Sequence, residues 1–314
     1  MRRDGVAGQN AAPTIARQRR KGYHRTRSAA GPQGSCADSS KGREAYEGEI
    51  KKDHPVRNSI YNVYFSPTKA TQKIAYEVAD AIAADRDLTS IAINLTKPKS
   101  RPVRAGGQEN DVFLFAFPVY SGRVPAVLID CIDQFEGDGA KAVVVGVYGN
   151  RHYDDALLEA ADLLGERGFK VIASGAFIGE HSMAPRVGAG RPDADDLAVA
   201  AQFGHDVAAL IEQGATETPA IKGNRPYRDG MPDTGARPAT TDACTKCGIC
   251  VKLCPMGIID ADDPAQVADG CLQCNACVKG CPQDAKRFEG EQAAAIVAML
   301  EGNCLERKEP ELFL

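Results

Sequence analysis

Eight of the eleven cysteines stand in two copies of one spacing, and no other feature constrains the chain so strongly. The copies, offset by 27 residues, are Cys244-x2-Cys247-x2-Cys250-x3-Cys254-Pro255 and Cys271-x2-Cys274-x2-Cys277-x3-Cys281-Pro282. Such spacing is typical of thiolate ligands to a metal centre rather than of disulfides. Four-cysteine sites hold iron–sulfur clusters or zinc. Zinc pairs usually lack the third close cysteine and the Cys-Pro ending, so the pattern favours iron–sulfur clusters over zinc knuckles.

The spacing resembles that of bacterial two-cluster ferredoxins, in which the fourth cysteine of each copy ligates the other cluster. The resemblance implies two crossed ligand sets, one for each [4Fe–4S] cluster. The first set would be Cys244, Cys247, Cys250 and Cys281. The second set would be Cys254, Cys271, Cys274 and Cys277.

Length and composition narrow the class of protein. A chain of 314 residues can form one large and one small domain. We expect no membrane insertion, because no apolar run approaches the roughly 18 residues of a membrane helix. Cysteines used as ligands indicate a reducing, cytoplasmic environment, and oxygen-sensitive clusters indicate an anaerobe.

Residues 1–57 differ in composition from the rest of the chain. They carry 13 Lys and Arg against 6 Asp and Glu, whereas the whole chain has a net charge of −4. The run Arg17-Gln18-Arg19-Arg20-Lys21 could indicate a nucleic-acid arm, but few large apolar residues surround it. We therefore predict a disordered segment without a nucleic-acid partner. A native start near Val56 is an alternative.

From Ile60 the sequence alternates apolar strands with helical stretches. Strands are predicted at 60–65, 89–95, 111–117, 141–147 and 169–177. Helices are predicted at 70–85, 124–135, 154–166 and 193–213. Five strands alternating with helices predict an α/β fold with a doubly wound parallel sheet. In such a sheet, ligands bind in the loops beyond the carboxyl ends of the strands.

Three of these loops have residues suited to a phosphate and a flat ring. The loop after the first strand is rich in hydroxyls at a helix start, which is typical of a phosphate site, and it contains Ser66, Thr68, Lys69, Ala70 and Thr71. Aromatic and glycine residues follow the third strand, at Pro118, Val119, Tyr120, Ser121 and Gly122. They also follow the fourth strand, at Tyr148, Gly149, Asn150, Arg151 and Tyr153.

Residues 58–213 resemble the flavodoxin fold, in which a Ser/Thr-x-Thr-Gly-x-Thr loop binds the phosphate of FMN. Together with 241–290, the chain resembles the family of flavodoxin-like domains fused to a two-cluster, small α+β ferredoxin domain. The resemblance implies a five-stranded flavodoxin-like sheet, FMN and two [4Fe–4S] clusters. Lys69 departs from the family pattern, which has glycine there. Lys69 would be strained if its φ is positive, and would otherwise add charge to the phosphate site.

The remaining segments are less specific. Residues 178–192 form a Gly-rich loop at the sheet end that carries the flavin loops, and such loops are often lids. His181 in this loop could be a general acid, but a capping or solvated histidine is the simpler interpretation. Residues 214–240 are predicted as a linker, and 291–314 as a C-terminal helix and tail.

The resemblance implies an electron-transfer iron–sulfur flavoprotein that exchanges electrons with a redox partner protein, either a ferredoxin or an oxidoreductase. A flavin-dependent oxidoreductase that acts on a small molecule is the first alternative. A scaffold that keeps the clusters and has lost the flavin is the second. No G-x-G-x-x-G run precedes a helix, so direct nicotinamide oxidation is disfavoured. No catalytic residue is assigned.

Overall fold

The computed structural model describes residues 58–101, 105–230 and 235–314. The predicted disordered segment 1–57 lies outside these residues. None of the helices within them combines the length and the apolar character needed to cross a bilayer.

The centre of the fold is a sheet that has six strands within the described residues. They are β1 (Ser59–Tyr64), β2 (Thr89–Asn94), β3 (Val112–Pro118), β4 (Lys141–Tyr148), β5 (Lys170–Ile178) and β6 (Glu311–Phe313). Their order in the sheet is β2-β1-β3-β4-β5-β6, and the first five are parallel. This order is that of flavodoxin-type sheets, whose switch point lies between β1 and β3. Each parallel strand begins and ends within one residue of its predicted limits.

Four helices cover both faces of the sheet. They are α1 (Ala70–Arg86), α2 (Ala126–Ile132), α3 (Ala156–Glu166) and α4 (Ala194–Glu212). Ile74 of α1 and Phe203 of α4 belong to one apolar core, and Leu128 of α2 and Leu157 of α3 belong to the other. Because both faces are covered, the inner strands β1, β3, β4 and β5 are buried along nearly their whole length, whereas the edge strand β2 is largely exposed or half-buried. The predicted α/β fold is confirmed.

Helix α2 is shorter than the predicted 124–135. Pro125 stands at its N-cap, where proline is tolerated because its missing N–H is not needed. The chain beyond the helix then forms a two-residue strand, Phe135–Glu136, which pairs with Ala105–Gly106. This pairing ends the helix early.

The two cysteine motifs fold alike. The short helices α5 (Ile249–Leu253) and α6 (Ala276–Lys279) begin at equivalent points of the two copies. The residue before each helix is left-handed, with φ of 73° at Gly248 and 58° at Asn275. A small antiparallel pair, Ala239–Thr240 with Lys286–Arg287, closes this part of the chain. These elements form the predicted small α+β domain.

The C-terminal tail returns to the central sheet, which the sequence did not indicate. After α7 (Glu291–Asn303), strand β6 pairs antiparallel with the edge strand β5. The Asn150 side chain holds the start of the tail, because its Nδ2 donates to the carbonyls of Cys304 (2.7 Å) and Glu306 (2.8 Å). Its Oδ1 accepts the Lys308 N–H at 3.3 Å. The tail thus adds a sixth strand to the predicted five.

The predicted linker is held along α3 by carboxylates. Asp155 accepts the N–H groups of Asn224 (2.8 Å) and Arg228 (2.7 Å). Asp162 accepts from the guanidinium of Arg225 at 2.7 Å. A segment anchored in this way fixes the path between the sheet and the cysteine motifs rather than leaving it free.

We expect Asn150→Ala to lower the free energy of unfolding by about 3 kcal/mol. The change removes three hydrogen bonds of about 1 kcal/mol each and leaves two tail carbonyls unsatisfied. Alanine would also be strained at the φ of 56° found here. Anaerobic urea denaturation of the full chain measures the loss, and Asn150→Gly, which avoids the strain, should lose less. A loss below about 1 kcal/mol for the alanine variant would show that Asn150 does not hold the tail.

Candidate functional site

The cysteines of the first crossed set line one cavity. They are Cys244, Cys247, Cys250 and Cys281. Cys247 is exposed, whereas Cys250 is buried, so the cavity lies at the protein surface. Pro282 and Lys286 also line this cavity.

The second crossed set lines a separate cavity. Its members are Cys254, Cys271, Cys274 and Cys277, and three of these four thiols are buried. The other lining residues are mostly apolar, among them Ile258, Ile259, Val267 and Phe288. The structure thus brings together the two sets that the ferredoxin resemblance implies.

The thiols of each set are not drawn together around a single point. Zinc–sulfur distances of about 2.3 Å would draw four thiols around one point. Within the described residues, no three His, Cys, Asp or Glu side chains are arranged to hold a single ion. Four thiols that surround a volume instead of a point fit a polynuclear cluster, which supplies iron to each thiolate.

Burial disfavours free thiolates in these cavities. Desolvation raises the pKa of Cys274 to about 12 and that of Cys277 to about 11. At other thiols, main-chain N–H groups oppose the rise in pKa that burial causes. Burial raises the pKa of Cys281, but the N–H groups of Ala285, Gln283 and Lys286 hold it below its ordinary value. Bound iron would supply the remaining charge, because a coordinated thiol is deprotonated.

Main-chain N–H groups also reach the first cysteine of each motif in the same way. The N–H of Lys246 donates to the Cys244 sulfur at 3.4 Å, and the N–H of Gln273 donates to the Cys271 sulfur at 3.4 Å. Such N–H···S bonds are among the features that set the reduction potential of a cluster.

The second cavity lies against the loop after β3. Burial raises the pKa of Tyr120 well above its ordinary value, and the Cys274 and Cys271 thiols beside it raise it further. Leu272, between these cysteines, packs against the apolar core that contains α2 and α3. The second cysteine set therefore borders one of the predicted flavin loops.

Two cations after β2 bind the end of the first motif, around Cys254 of the second set. Lys97 donates from Nζ to the carbonyl of Lys252 at 2.6 Å. The buried Arg101 donates to the carbonyl of Pro255, next to the ligand Cys254, and to the carbonyls of Leu95 and Thr96 at 3.1 Å each. Sequence reasoning missed both cations, because the segment after β2 carries no recognisable motif.

The loop after β1 has the form of a phosphate cradle. Ser66 Oγ accepts the N–H of Gln72 at 3.0 Å and so closes the loop over the start of α1. Within the described residues, three N–H groups at the positive end of this helix find no acceptor, those of Thr68, Ala70 and Thr71. These groups can donate to a bound phosphate.

Lys69 has the positive φ that the glycine of the family pattern would provide. Its φ is 69°, and its side chain is exposed beside the open N–H groups. A left-handed residue with a side chain costs roughly 1–2 kcal/mol. Lys69 is therefore strained, and its exposed ammonium can face an anion bound at the cradle.

The loop after β3 ends in a tight turn. Pro118 ends the strand, and the Val119 N–H donates to the carbonyl of Val147 at 2.8 Å. Tyr120 and Arg123 then exchange main-chain hydrogen bonds of 3.1 and 3.0 Å. Ser121 and Gly122 between them have φ of 51° and 79°, as in a type I′ turn.

The loop after β4 contributes less to an open site than its sequence indicates. The rings of Tyr148 and Tyr153 are buried in the core, and the Tyr153 hydroxyl donates to Glu311 Oε2 at 2.5 Å. The Asn150 side chain binds the tail, and Arg151 pairs with Asp154. The main chain at Gly149 and Asn150, with Tyr120 opposite, is what remains for contact with a ring.

The loop 178–192 is anchored on several sides. Glu180 pairs with Lys279 of α6 at 2.6 Å and accepts the Gly190 N–H at 3.1 Å. Ala184 and Val187 pack with Leu300 of α7. A loop held in this way does not have the freedom that the lid interpretation requires.

His181 acts as a cap within this loop. Its Nδ1 accepts the N–H groups of Met183 (3.2 Å) and Ala184 (3.3 Å). Burial, with Lys279 and Arg151 nearby, lowers its pKa to about 4, so the ring is neutral near pH 7. The ring also lies on Gly149, where a Cβ would come within 2.5 Å of His181 Cδ2.

The cysteine-rich part of the chain matches a known family. Residues 243–286 match the 4Fe-4S dicluster domain. The strand order of the preceding part is that of flavodoxin. The chain is thus a flavodoxin-like α/β domain joined to a 4Fe-4S dicluster domain, as the sequence resemblance predicts.

Several solved structures are similar to the chain. A flavodoxin from the domain Archaea shares 16% identity over 49% of this chain and 99% of that chain, with a TM-score of 0.34. A Streptococcus pneumonia TIGR4 flavodoxin shares 20% identity over 48% of this chain and 97% of that chain, with a TM-score of 0.34. An apo NADH:FMN oxidoreductase shares 17% identity over 51% of this chain and 95% of that chain, with a TM-score of 0.38. No curated protein sequence matches the chain.

We expect the protein to lose stability as the pH falls from about 6.5 toward 4. In this range His181 takes up a proton in the unfolded chain but not in the folded one, so acid favours unfolding. The effect at pH 5 should be on the order of 1 kcal/mol, measured by anaerobic denaturation at pH 7 and pH 5.

The matched variant is His181→Asn, whose side-chain oxygen can accept the same N–H groups but does not titrate. It should lose less stability between pH 7 and pH 5 than the parent protein. An equal loss in both proteins would show that His181 is not the titrating group.

Proposed function

We propose that the protein is an electron-transfer iron–sulfur flavoprotein with two [4Fe–4S] clusters and FMN. The observation that carries the proposal is the position of the second cysteine set, because Leu272, between Cys271 and Cys274, packs on the same apolar core as Tyr120 of the predicted flavin loop. When bound, clusters transfer single electrons and a flavin transfers one or two. The protein residues hold, orient and shield these groups.

The cluster part of the proposal rests on the thiols and their surroundings. Each crossed set of four cysteines lines one cavity, and N–H groups point to sulfur in both motifs. The match to the 4Fe-4S dicluster domain over 243–286 supports the same ligand chemistry. The crossed assignment of ligands is part of the proposal.

The flavin part rests on the cradle at the start of α1. Three open N–H groups, the helix dipole and the exposed Lys69 suit a single phosphate, which favours FMN over FAD. Tyr120 and the main chain of Gly149 would lie beside the ring. The buried Tyr148 and Tyr153 support these loops from below instead of stacking on a ligand.

The arrangement also suggests where a redox partner meets the protein. The exposed thiol Cys247 and the exposed Ile249 lie together at the mouth of the first cavity. Near the second set, by contrast, Lys97 and Arg101 of the flavodoxin-like part bind the main chain around Cys254. We therefore propose that a partner, either a ferredoxin or an oxidoreductase, contacts the protein at the first cavity.

Quantifying iron, sulfide and flavin in the anaerobically purified full chain tests the proposal. We expect about eight iron and eight sulfide per chain from two [4Fe–4S] clusters, with one FMN. About two zinc without sulfide would overturn the cluster assignment. Clusters without any saturable flavin binding would leave the flavin-free scaffold as the better interpretation.

Lys69→Gly should have opposite effects on stability and on FMN binding. Relief of the left-handed strain should raise the free energy of unfolding by about 1 kcal/mol. Loss of the ammonium should weaken FMN binding at low salt, with little effect at high salt, where charge is screened. Fluorescence titrations at two ionic strengths measure this, with Lys73→Gln on the exposed side of α1 as control. Tighter FMN binding at both salts would show that strain alone matters at this position.

A further inference from the structure

Lys286 is a buried cation at the edge of the first cysteine cavity. Only 1% of the residue is exposed, and its Nζ donates to the carbonyl of Pro264. Within the parts of the chain that the structure describes, no carboxylate forms an ion pair with it. An ammonium buried without a negative partner costs several kcal/mol. The thiols around it are the groups that can offset this cost.

The second cysteine motif has Lys286 at the position where the first motif has an apolar residue. The residue 27 positions earlier is Ile259, which is also buried and lines the second cavity. The backbone follows the duplication closely, with φ of 53° and 50° at Lys246 and Gln273, and of 65° and 50° at Gly257 and Asp284. The two cavities therefore have the same frame, but one has an ammonium where the other has a hydrocarbon.

The ammonium faces thiols of both sets. Burial raises the pKa of Cys250, and Lys286 opposes this rise. Lys286 also lowers the pKa of Cys277 and Cys271, but burial, which raises the pKa of both thiols, is the larger effect. Lys286 lines only the first of the two cavities. Its charge therefore acts most directly on the first set.

We propose that Lys286 is a positioning residue whose fixed charge raises the reduction potential of the centre held by Cys244, Cys247, Cys250 and Cys281. The inference rests on the proposed iron–sulfur function. Reduction adds one electron to a site that four thiolates already make negative, and no bond to the protein forms or breaks. A nearby positive charge stabilises the reduced state more than the oxidised one, and burial weakens the screening of this effect.

The second site has different cations, so Lys286 alone does not rank the two potentials. Lys97 lies near Cys254 and Cys274, and Arg101 binds the carbonyl after Cys254. Lys97 is only half-buried, whereas Lys286 is enclosed. The proposal therefore concerns the change in the first site's potential when Lys286 is altered.

The test is an anaerobic redox titration of the full chain with dithionite, followed by EPR, for Lys286→Gln and Lys286→Arg. Glutamine can still donate to Pro264 but has no charge, whereas arginine keeps the charge. Lys246→Gln is the matched control. It removes a lysine that is next to Cys247 in sequence, and the Lys246 side chain is 64% exposed. Cys247→Ser, which alters a ligand of the first site alone, identifies the potential that belongs to that site.

We expect Lys286→Gln to make the potential of the first site more negative, by more than Lys246→Gln does, while Lys286→Arg stays near the parent value. An unchanged potential with full iron and sulfide content would overturn the proposal. If the glutamine variant loses iron from the first site and the arginine variant keeps it, the charge is required and the proposal stands. Iron loss in both variants would show that the shape of lysine matters and would overturn it.

Iron and sulfide analysis of the parent protein separates this inference from the proposed function. A parent protein without clusters would end both. A parent protein with both clusters, together with a glutamine variant of unchanged potential, would leave the proposed function intact and remove only the role of Lys286.

Discussion

The packing of Leu272, between Cys271 and Cys274, on the apolar core that also carries Tyr120 is the constraint on which the other features depend. Interfaces between domains of one chain are usually mobile unless they are firmly held. Here Lys97 donates to the carbonyl of Lys252 and Arg101 to that of Pro255, on either side of Cys254. Lys279 of the second motif pairs with Glu180. These charged contacts join main-chain atoms and side chains across the two parts of the chain. They hold the second cysteine set in a fixed position against the sheet edge.

The placement of charge follows from the burial of thiols. Cavities lined by isoleucine, valine and phenylalanine oppose ionised sulfur, so positive groups must lie close by. The protein supplies them as N–H groups that donate to sulfur, as Arg101 bound to the carbonyl after Cys254, and as Lys286 in the lining of the first cavity. The cradle at α1 uses the same means for an anion outside the core, with open N–H groups and an exposed lysine.

Regular patterns were readable from the sequence, and single long-range contacts were not. The strands β3, β4 and β5 have nearly continuous apolar runs, and the cysteine spacing has a fixed period, so both were predicted closely. Strand β6 has three residues, too few for any periodicity, and only its partner β5 makes it a strand. The tyrosines around Asn150 looked like ring contacts because burial is not encoded locally. The sequence around Lys286 likewise gives no sign that it is buried, although its duplicate Ile259 is apolar.

The return of the tail to β5 makes the cysteine-rich domain an insertion in the sheet rather than an appendage after it. The flavodoxin-like part is interrupted after α4 and resumes only at β6, some hundred residues later in the chain. Its edge and the partners of Asn150 therefore exist only after the cysteine motifs have been synthesised. Cluster assembly and completion of the sheet are thus topologically linked. A separated flavodoxin-like half would have an open β5 edge, to which another chain could add a strand.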